Sequence, residues 1–417
     1  VRGLSLSAGA RVFLFFSLGY LTSYVFRGLN IGFGPTLSAE MGLSPADLGT
    51  LTSLYFLGFA LMQVPAGLML DTWGPRRVNA GMLLVAALGT VVYGLADNVV
   101  MLMIGRLLIG AGVCVCLGAT FQALAQHFPL SRLPLVNGLV MAVGGMGGVL
   151  VGAPLSWLLT HASWRMVSVG LAVTTVCVSI MLLLGAPREA ARAHAPPSLG
   201  TQWRGMLALL RMPRYWRLVS LPVATSGVFF GVQSLWIRPF LGEFNGLAPA
   251  AAAWTVSLVG FAMMAGNVGL GALARRAEGA GMGLFGFGGV CQLAFMVVQV
   301  LILAQAPLPL PLLWAAYGFF GPANILVFAL LAGEFPRDVL GRVTATTNLL
   351  MFLAIFACQV GVGAIIELWP EQGGAYPPEA HRAAWLALLA VQAGAAAYYY
   401  WPRRGASAEV AKGSARG

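Results

Sequence analysis

Tyr20, Tyr24 and Arg27 stand at i, i+4 and i+7, which places them on one helix face, and Asn30 follows three residues later. They lie inside an apolar run, where inserting a guanidinium costs at least about 2.5–3.5 kcal/mol, so such a group faces a partner or an aqueous cavity. A fixed cation facing a cavity would attract an anion, and the two phenols would shape the pocket around it. The alternative is a structural arginine bonded to backbone carbonyls or lipid headgroups, and Arg106, in a later apolar run, is open to the same two readings. Of the 13 Asp and Glu residues none falls near the middle of an apolar run; Asp47, Asp71, Glu243 and Glu367 sit at run ends. No carboxylate is therefore placed to relay a proton or attract a cation at mid-run. No acid pair, nucleophile–base pair or metal-ligand spacing is present, so neither enzymatic activity nor a metal or cofactor is expected. Cys114, Cys116, Cys177, Cys291 and Cys358 fall inside apolar runs and read as small core residues, not as a disulfide framework. His127, His161, His194 and His381 fall in loops or at helix ends.

The elements that must hold these residues are membrane spans. The 417 residues are 59% hydrophobic and 9% charged, against roughly 25% charged in soluble domains. Apolar stretches of about 20 residues match the thickness of a bilayer core. Only helices and closed barrels satisfy the backbone there, and runs such as Met82–Ala96 show no two-residue alternation, which excludes a barrel. Twelve spans are expected, at roughly 12–34, 47–70, 78–96, 99–124, 135–159, 165–185, 216–241, 250–273, 281–304, 311–332, 343–368 and 382–401. The first is long enough to cross, so no cleavable signal peptide is expected. The net charge of +11 would suit nucleic acid, but the basic residues punctuate span ends and do not cluster on one soluble face, so no nucleic-acid partner is expected. Nineteen of the 24 Lys and Arg residues fall on the side of the two termini and three on the other, which predicts a multi-pass inner-membrane protein with both termini cytoplasmic.

The chain echoes itself at half its length. Gly58-Phe-Ala-Leu-Met-Gln-Val-Pro-Ala-Gly-Leu68 matches Gly260-Phe-Ala-Met-Met-Ala-Gly-Asn-Val-Gly-Leu270, and Phe128-Pro129 matches Phe335-Pro336. Two six-helix halves follow, 1–185 and 215–402, with a cytoplasmic linker at 186–214 and a tail at 403–417. Parallel repeats of this kind place a solute site between the halves at mid-membrane. Within the linker, Trp203–Leu210 is amphipathic and suits the membrane surface.

The loop after span two supplies a specific signature: Gly67, Asp71, Gly74, Arg76 and Arg77. Physically, Gly67 would allow close helix approach, and Asp71 among arginines would form a charge latch that releases as the halves rock. The pattern closely resembles that of the major facilitator superfamily. Gly105-Arg106, Gly110 and Gly112, the glycine-rich span five and Trp164-Arg165 are similar to further elements of that family. The resemblance implies an all-α membrane protein of twelve helices in two pseudo-symmetric bundles, with Arg106 tied to coupling or helix packing. The Tyr20–Tyr24–Arg27–Asn30 pattern resembles the organophosphate and organic-anion branch, whose span-one arginine binds the anion. Members of the glycerol phosphate type carry a second arginine in span seven; the matching position here is Gly231, so a monoanion such as a carboxylate suits this chain better. Polar residues expected to line the cavity are Gln63, Gln122, Gln233, Trp236, Asn267, Asn324, Asn348 and Gln359, with Asn348, Phe352 and Gln359 on one face of span eleven. The expected function is secondary transport of a small organic anion by alternating access. Partners would be the solute, membrane lipid and a coupling proton or counter-anion, with the protein a monomer. The alternatives are an exporter of amphipathic compounds, with Met263, Phe229 and Trp236 in an apolar cavity, and a non-transporting sensor that docks a soluble protein on 186–214.

Overall fold

The computed structural model describes residues 7–129, 132–187 and 199–401, so the tail 403–417 and residues 188–198 of the linker lie outside the described residues. Among the described residues, twelve long helices run along the chain. The first half comprises α1 (Ala8–Met41), α2 (Pro45–Trp73), α3 (Pro75–Gly94), α4 (Val99–His127), α5 (Leu135–Leu158) and α6 (Trp164–Gly185). The second comprises α7 (Pro213–Phe244), α8 (Pro249–Gly279), α9 (Leu284–Leu303), α10 (Leu310–Glu334), α11 (Val339–Ile366) and α12 (Pro378–Tyr399). Eleven are long and apolar enough to cross a membrane; α12 matches them in length, with 22 residues, but opens on the polar Glu379, His381 and Arg382. The helices overrun the expected spans, because hydropathy marks only the hydrocarbon-facing part while capping groups mark the true ends. α1 starts behind Ser7, whose hydroxyl accepts from the Ala10 amide at 3.2 Å. α2 starts behind a capping box formed by Ser44 and Asp47.

Successive helices alternate in direction. One face of the bundle therefore carries the start of α1 and the end of α12, with Arg76, Arg77, Arg275, Arg276 and Arg342 near its helix ends; we refer to it as the basic face. On that face α2 turns into α3 at Gly74, whose φ of 81° lies in the left-handed region that favours glycine, and Pro75 then opens α3.

Helices pack within each half, and the halves meet along three lines: α2 with α11, α5 with α8, and α1 with α7. Small residues allow the close backbone approach that helix association in lipid depends on. The second half is centred on an aromatic cluster of Phe229, Phe295, Trp314, Tyr317 and Trp385. Gln299 of α9 and Gln392 of α12 exchange amide hydrogen bonds at 3.1 and 3.0 Å in a fully buried position. A separate helix, Leu199–Leu210, contains the amphipathic stretch. It buries Met206 and Leu209, exposes Trp203 and Leu207, and touches α2, α7 and α11 at the basic face.

Several long helices are irregular where they approach the seam. α4 breaks at Cys114–Val115 and α5 at Val151–Gly152. α7 contains two π-helical turns, Val232–Trp236 and Phe240–Phe244, and α10 contains a 3₁₀ turn at Gly321–Ile325. Such departures within long helices occur often at functional sites.

Candidate functional site

Among the described residues, the tightest glycine contacts between the halves lie away from the basic face. Each of the four helices α2, α5, α8 and α11 carries one glycine packed against backbone of the other half and another glycine in open space. A Cβ on Gly49 would meet the Gln359 carbonyl oxygen at 2.6 Å, and one on Gly260 would meet the Val149 nitrogen at 2.8 Å. Gly363 abuts the Pro45 carbonyl, and Gly152 abuts Ser257. Nearer the basic face, a Cβ on Gly67, Gly138, Gly271 or Gly341 would meet no heavy atom within 4 Å. The seam is thus shut toward the opposite face, whereas these four glycines nearer the basic face make no such approach. On the shut side Trp236 donates to the Gln359 carbonyl at 3.1 Å within the second half, its ring facing Gly49 of the first, and Arg238 donates to the Ile31 carbonyl across the halves at 3.4 Å.

Arg27 lies just inside the shut region. Its guanidinium carbon sits 4.5 Å from the Tyr24 ring centre, 5.1 Å from Phe230 of α7 and 6.0 Å from Phe352 of α11. Rings from both halves therefore enclose one cation that is only 9% exposed. Its Nε is buried without a hydrogen-bond partner, and among the described residues no carboxylate pairs with it. A cavity of about 10 Å³, room for one water, adjoins it between α1, α5, α7 and α8. Tyr24, Gln233, Ser234, Gly148 and Val151 help to line it. Among the described residues Gln233 has only the Met263 sulfur as a side-chain partner, at 3.6 Å, which leaves its amide available to a solute.

The other expected site residues fall in several places. Tyr20 packs edge-on to Tyr24 at 5.2 Å, against Gly144 of α5, and supports the pocket from behind. Asn30 does not reach the cavity: it is fully buried, donates to Thr52 at 2.7 Å and accepts from Tyr93 at 2.8 Å, which uses its amide inside the first half. Gln122 likewise lies apart, donating to Asp71 at 3.4 Å. Gln359 is fully buried and donates to Ser234 at 2.8 Å, with its Oε1 unpartnered. Asn324 donates to Ser226 at 3.2 Å inside the second half. Gln63 has a buried, unpartnered Oε1, and Asn348 is half-buried. Phe229 turns into the aromatic cluster of its own half, and the neighbouring Phe230 is the ring that reaches Arg27. A strict helical count from Gln233 would have pointed to Phe230, three residues before it.

Arg106 is fully buried and donates to the Phe26 carbonyl at 2.9 Å and the Thr52 carbonyl at 3.4 Å, with Tyr55 beneath it at 5.1 Å. It ties α4 to α1 and α2 and does not line the cavity. In the loop signature, Arg76 donates to the Leu183 carbonyl at 2.8 Å and Arg77 is exposed. The close helix approach expected at Gly67 is not made in this structure, where a Cβ at that position would meet no heavy atom within 4 Å.

The model of the Major Facilitator Superfamily matches residues 16–358. The chain belongs to that superfamily. Its members are transporters, not enzymes. The superfamily fold is equally plain in solved structures. A bacterial homolog of the human lysosomal transporter Spinster, inward-facing and occupied, superposes with a TM-score of 0.73 over 95% of this chain and 97% of that one, at 17% identity. A D-xylose–proton symporter superposes with a TM-score of 0.68 at 14% identity, over 94% and 97% of the two chains. In sequence, a probable sulfoacetate transporter of Cupriavidus necator is 28% identical over 149 residues, covering 36% of this chain and 34% of that protein. The cephamycin export protein of Amycolatopsis lactamdurans is 30% identical over 159 residues, covering 37% and 32%. The matched stretches span about a third of the length of these relatives.

Proposed function

We propose that this superfamily member is a secondary transporter that moves a small organic anion, carboxylate-like, by alternating access, with Arg27 as the anion contact. The observation that carries the reading is the buried guanidinium at the seam, enclosed by rings of both halves and lacking a carboxylate partner among the described residues. A desolvated cation without a counterion attracts an anion far more strongly than an exposed one. Tyr24 and Gln233 would orient the anion, and Phe230 and Phe352 would cover its apolar part. The relative named as a sulfoacetate transporter is consistent with an anionic solute.

On this reading the basic face is cytoplasmic, because arginines concentrate there, and the cytoplasmic entrance lies on that side of the seam. Residues 1–185 and 215–402 are the two bodies that rock about the site, joined by 186–214. With no carboxylate at mid-span, charge would be balanced by a co-transported proton or an exchanged anion. The test is a thermal-stability screen of purified protein against mono- and dicarboxylates, phosphate esters, sugars and cationic drugs, followed by liposome uptake of any stabilising solute. Stabilisation by one anion class, lost in Arg27→Gln, supports the reading; unchanged transport in that variant removes Arg27 from its role.

A second reading, export of amphipathic compounds, draws on the aromatic walls, where Phe59 and Phe352 stack at 4.0 Å beside Phe56. It also draws on the relative named as an export protein. Efflux that follows solute hydrophobicity and ignores solute charge would favour it.

A further inference from the structure

The backbone carbonyl of Ile31 in α1 lacks its regular helical partner. In an α-helix that oxygen accepts from the amide four residues on. The residue there is Pro35, which has no N–H and whose ring crowds the carbonyl. A donor comes instead from the other half: Arg238 of α7 donates from Nη1 to the Ile31 carbonyl at 3.4 Å. Arg238 lies in Ile237–Pro239, between the two π-helical turns of α7. The first of these joins residues five apart, the Ile237 amide bonding the Val232 carbonyl. Gln233 and Arg238, also five apart, both reach the seam. Ile31 itself lines the Arg27 cavity and stands four residues, about 6 Å, beyond Arg27 toward the opposite face. A second guanidinium is thereby set on the outer side of the first. It is half-buried, and among the described residues no carboxylate pairs with it.

We propose that Arg238 is the outer anion contact of this transporter, held by the Ile31 carbonyl while the seam is shut and released to an anion when it opens. This rests on the anion-transport reading above. α1 and α7 form one of the lines along which the halves meet, so opening on that side parts the guanidinium from the carbonyl. The carbonyl is then met by water in the open mouth, and the guanidinium is left without a protein partner. A carboxylate-like anion suits it better than the carbonyl did, because attraction between full charges adds to the hydrogen bond. The anion thus takes the place of the Ile31 carbonyl as it enters. Once it has moved one turn inward to Arg27, the carbonyl recovers Arg238 and the seam shuts behind it.

Leu235 of α7 can report on both roles. Its side chain is buried against Gly34 of α1, where a Cβ would come within 3.9 Å of it, so a cysteine there meets solvent only when the seam opens. Full-chain Leu235→Cys protein in lipid nanodiscs is labelled with methanethiosulfonate reagents that are neutral, carry a sulfonate, or carry a trimethylammonium group. Mass spectrometry reads the rate at that cysteine. The neutral reagent follows opening, and the ratio of the two charged reagents follows the charge at the mouth. No transported solute is present, so the outcome does not depend on whether Arg27 binds one; failure of that reading shows instead as unchanged transport in Arg27→Gln. With Arg238 in place the anionic reagent should react several-fold faster than the cationic one. Arg238→Met should raise the neutral rate about fivefold, as for loss of one hydrogen bond, and remove most of the anionic preference, which Arg238→Lys should keep. Pro35→Ala, which gives the Ile31 carbonyl an amide of its own helix, should raise the neutral rate about twofold and leave the preference intact. An unchanged neutral rate in Arg238→Met, or an anionic preference there equal to that with Arg238 in place, overturns the proposal. If Arg238→Met does not fold, an unchanged neutral rate in Pro35→Ala, or no anionic preference with Arg238 in place, overturns it.

Discussion

Replacing Arg27 by glutamine should make the unliganded protein more stable while removing its response to an anion. Insertion of an arginine at the centre of a span costs about 2.5–3.5 kcal/mol. The three rings around the guanidinium, at 4.5, 5.1 and 6.0 Å, return about 2 kcal/mol between them, at roughly 0.5–1 kcal/mol each. About 1 kcal/mol therefore remains uncompensated in the empty protein. Arg27→Gln should recover about that much, seen as a higher melting temperature without solute. With a stabilising anion present, the order should reverse: loss of a desolvated charge partner costs about 2–5 kcal/mol in binding, a weakening of roughly 30-fold or more. The assay is paired thermal denaturation of both proteins across a titration of the anion found in the solute screen, so that melting curves cross as anion is added. The reasoning is refuted if Arg27→Gln melts lower than the parent without anion and yet shows the same anion-dependent rise. That result would make Arg27 a structural residue.

The Gln299–Gln392 pair offers a cycle of its own. Gln299→Leu alone strands a buried amide and should destabilise by about 1–2 kcal/mol, while Gln299→Leu with Gln392→Leu should recover most of it in denaturation measurements. Gly49→Ala puts a methyl group 2.6 Å from the Gln359 carbonyl oxygen and should destabilise the shut state by about 1–3 kcal/mol, read as increased labelling of its seam by reagents added on the opposite face. Gly67→Ala meets nothing in this structure and should leave melting within about 0.5 kcal/mol of the parent. It should nevertheless slow transport, because the other state must close the helices at that point.

The fold was readable from composition and periodicity because the bilayer permits so few alternatives. Once nine in a hundred residues are charged and apolar runs recur, helices are the only unbarrelled solution, and all twelve expected spans correspond to long helices. The irregular turns were not readable. The choice of Phe230 over Phe229 was readable by a helical count back from Gln233, because both rings lie in the regular part of α7 before its first π-helical turn.

The site was readable where one residue type is too costly to bury without a reason. Arg27 belongs to that class, and a face count within α1 was enough to bring Tyr24 to it. Amides were not so constrained, since a buried Asn or Gln serves equally as a link between helices or as a ligand. Asn30 is held by Thr52 and Tyr93, whereas Gln233 lines the cavity, and only the arrangement of neighbouring helices separates the two. Ser257 gave no signal in its own stretch of chain, because its hydroxyl bonds Val149 and Ala153 at the break in α5, more than a hundred residues away. The amino-acid sequence by itself determined that this chain crosses a membrane as a bundle of helices with a cation near its centre, because burial energies are local and large. Which side of the seam is shut, which polar groups reach the cavity, and what fills the break in α5 were decided by tertiary structure, because each depends on the meeting of two halves that are distant in the chain.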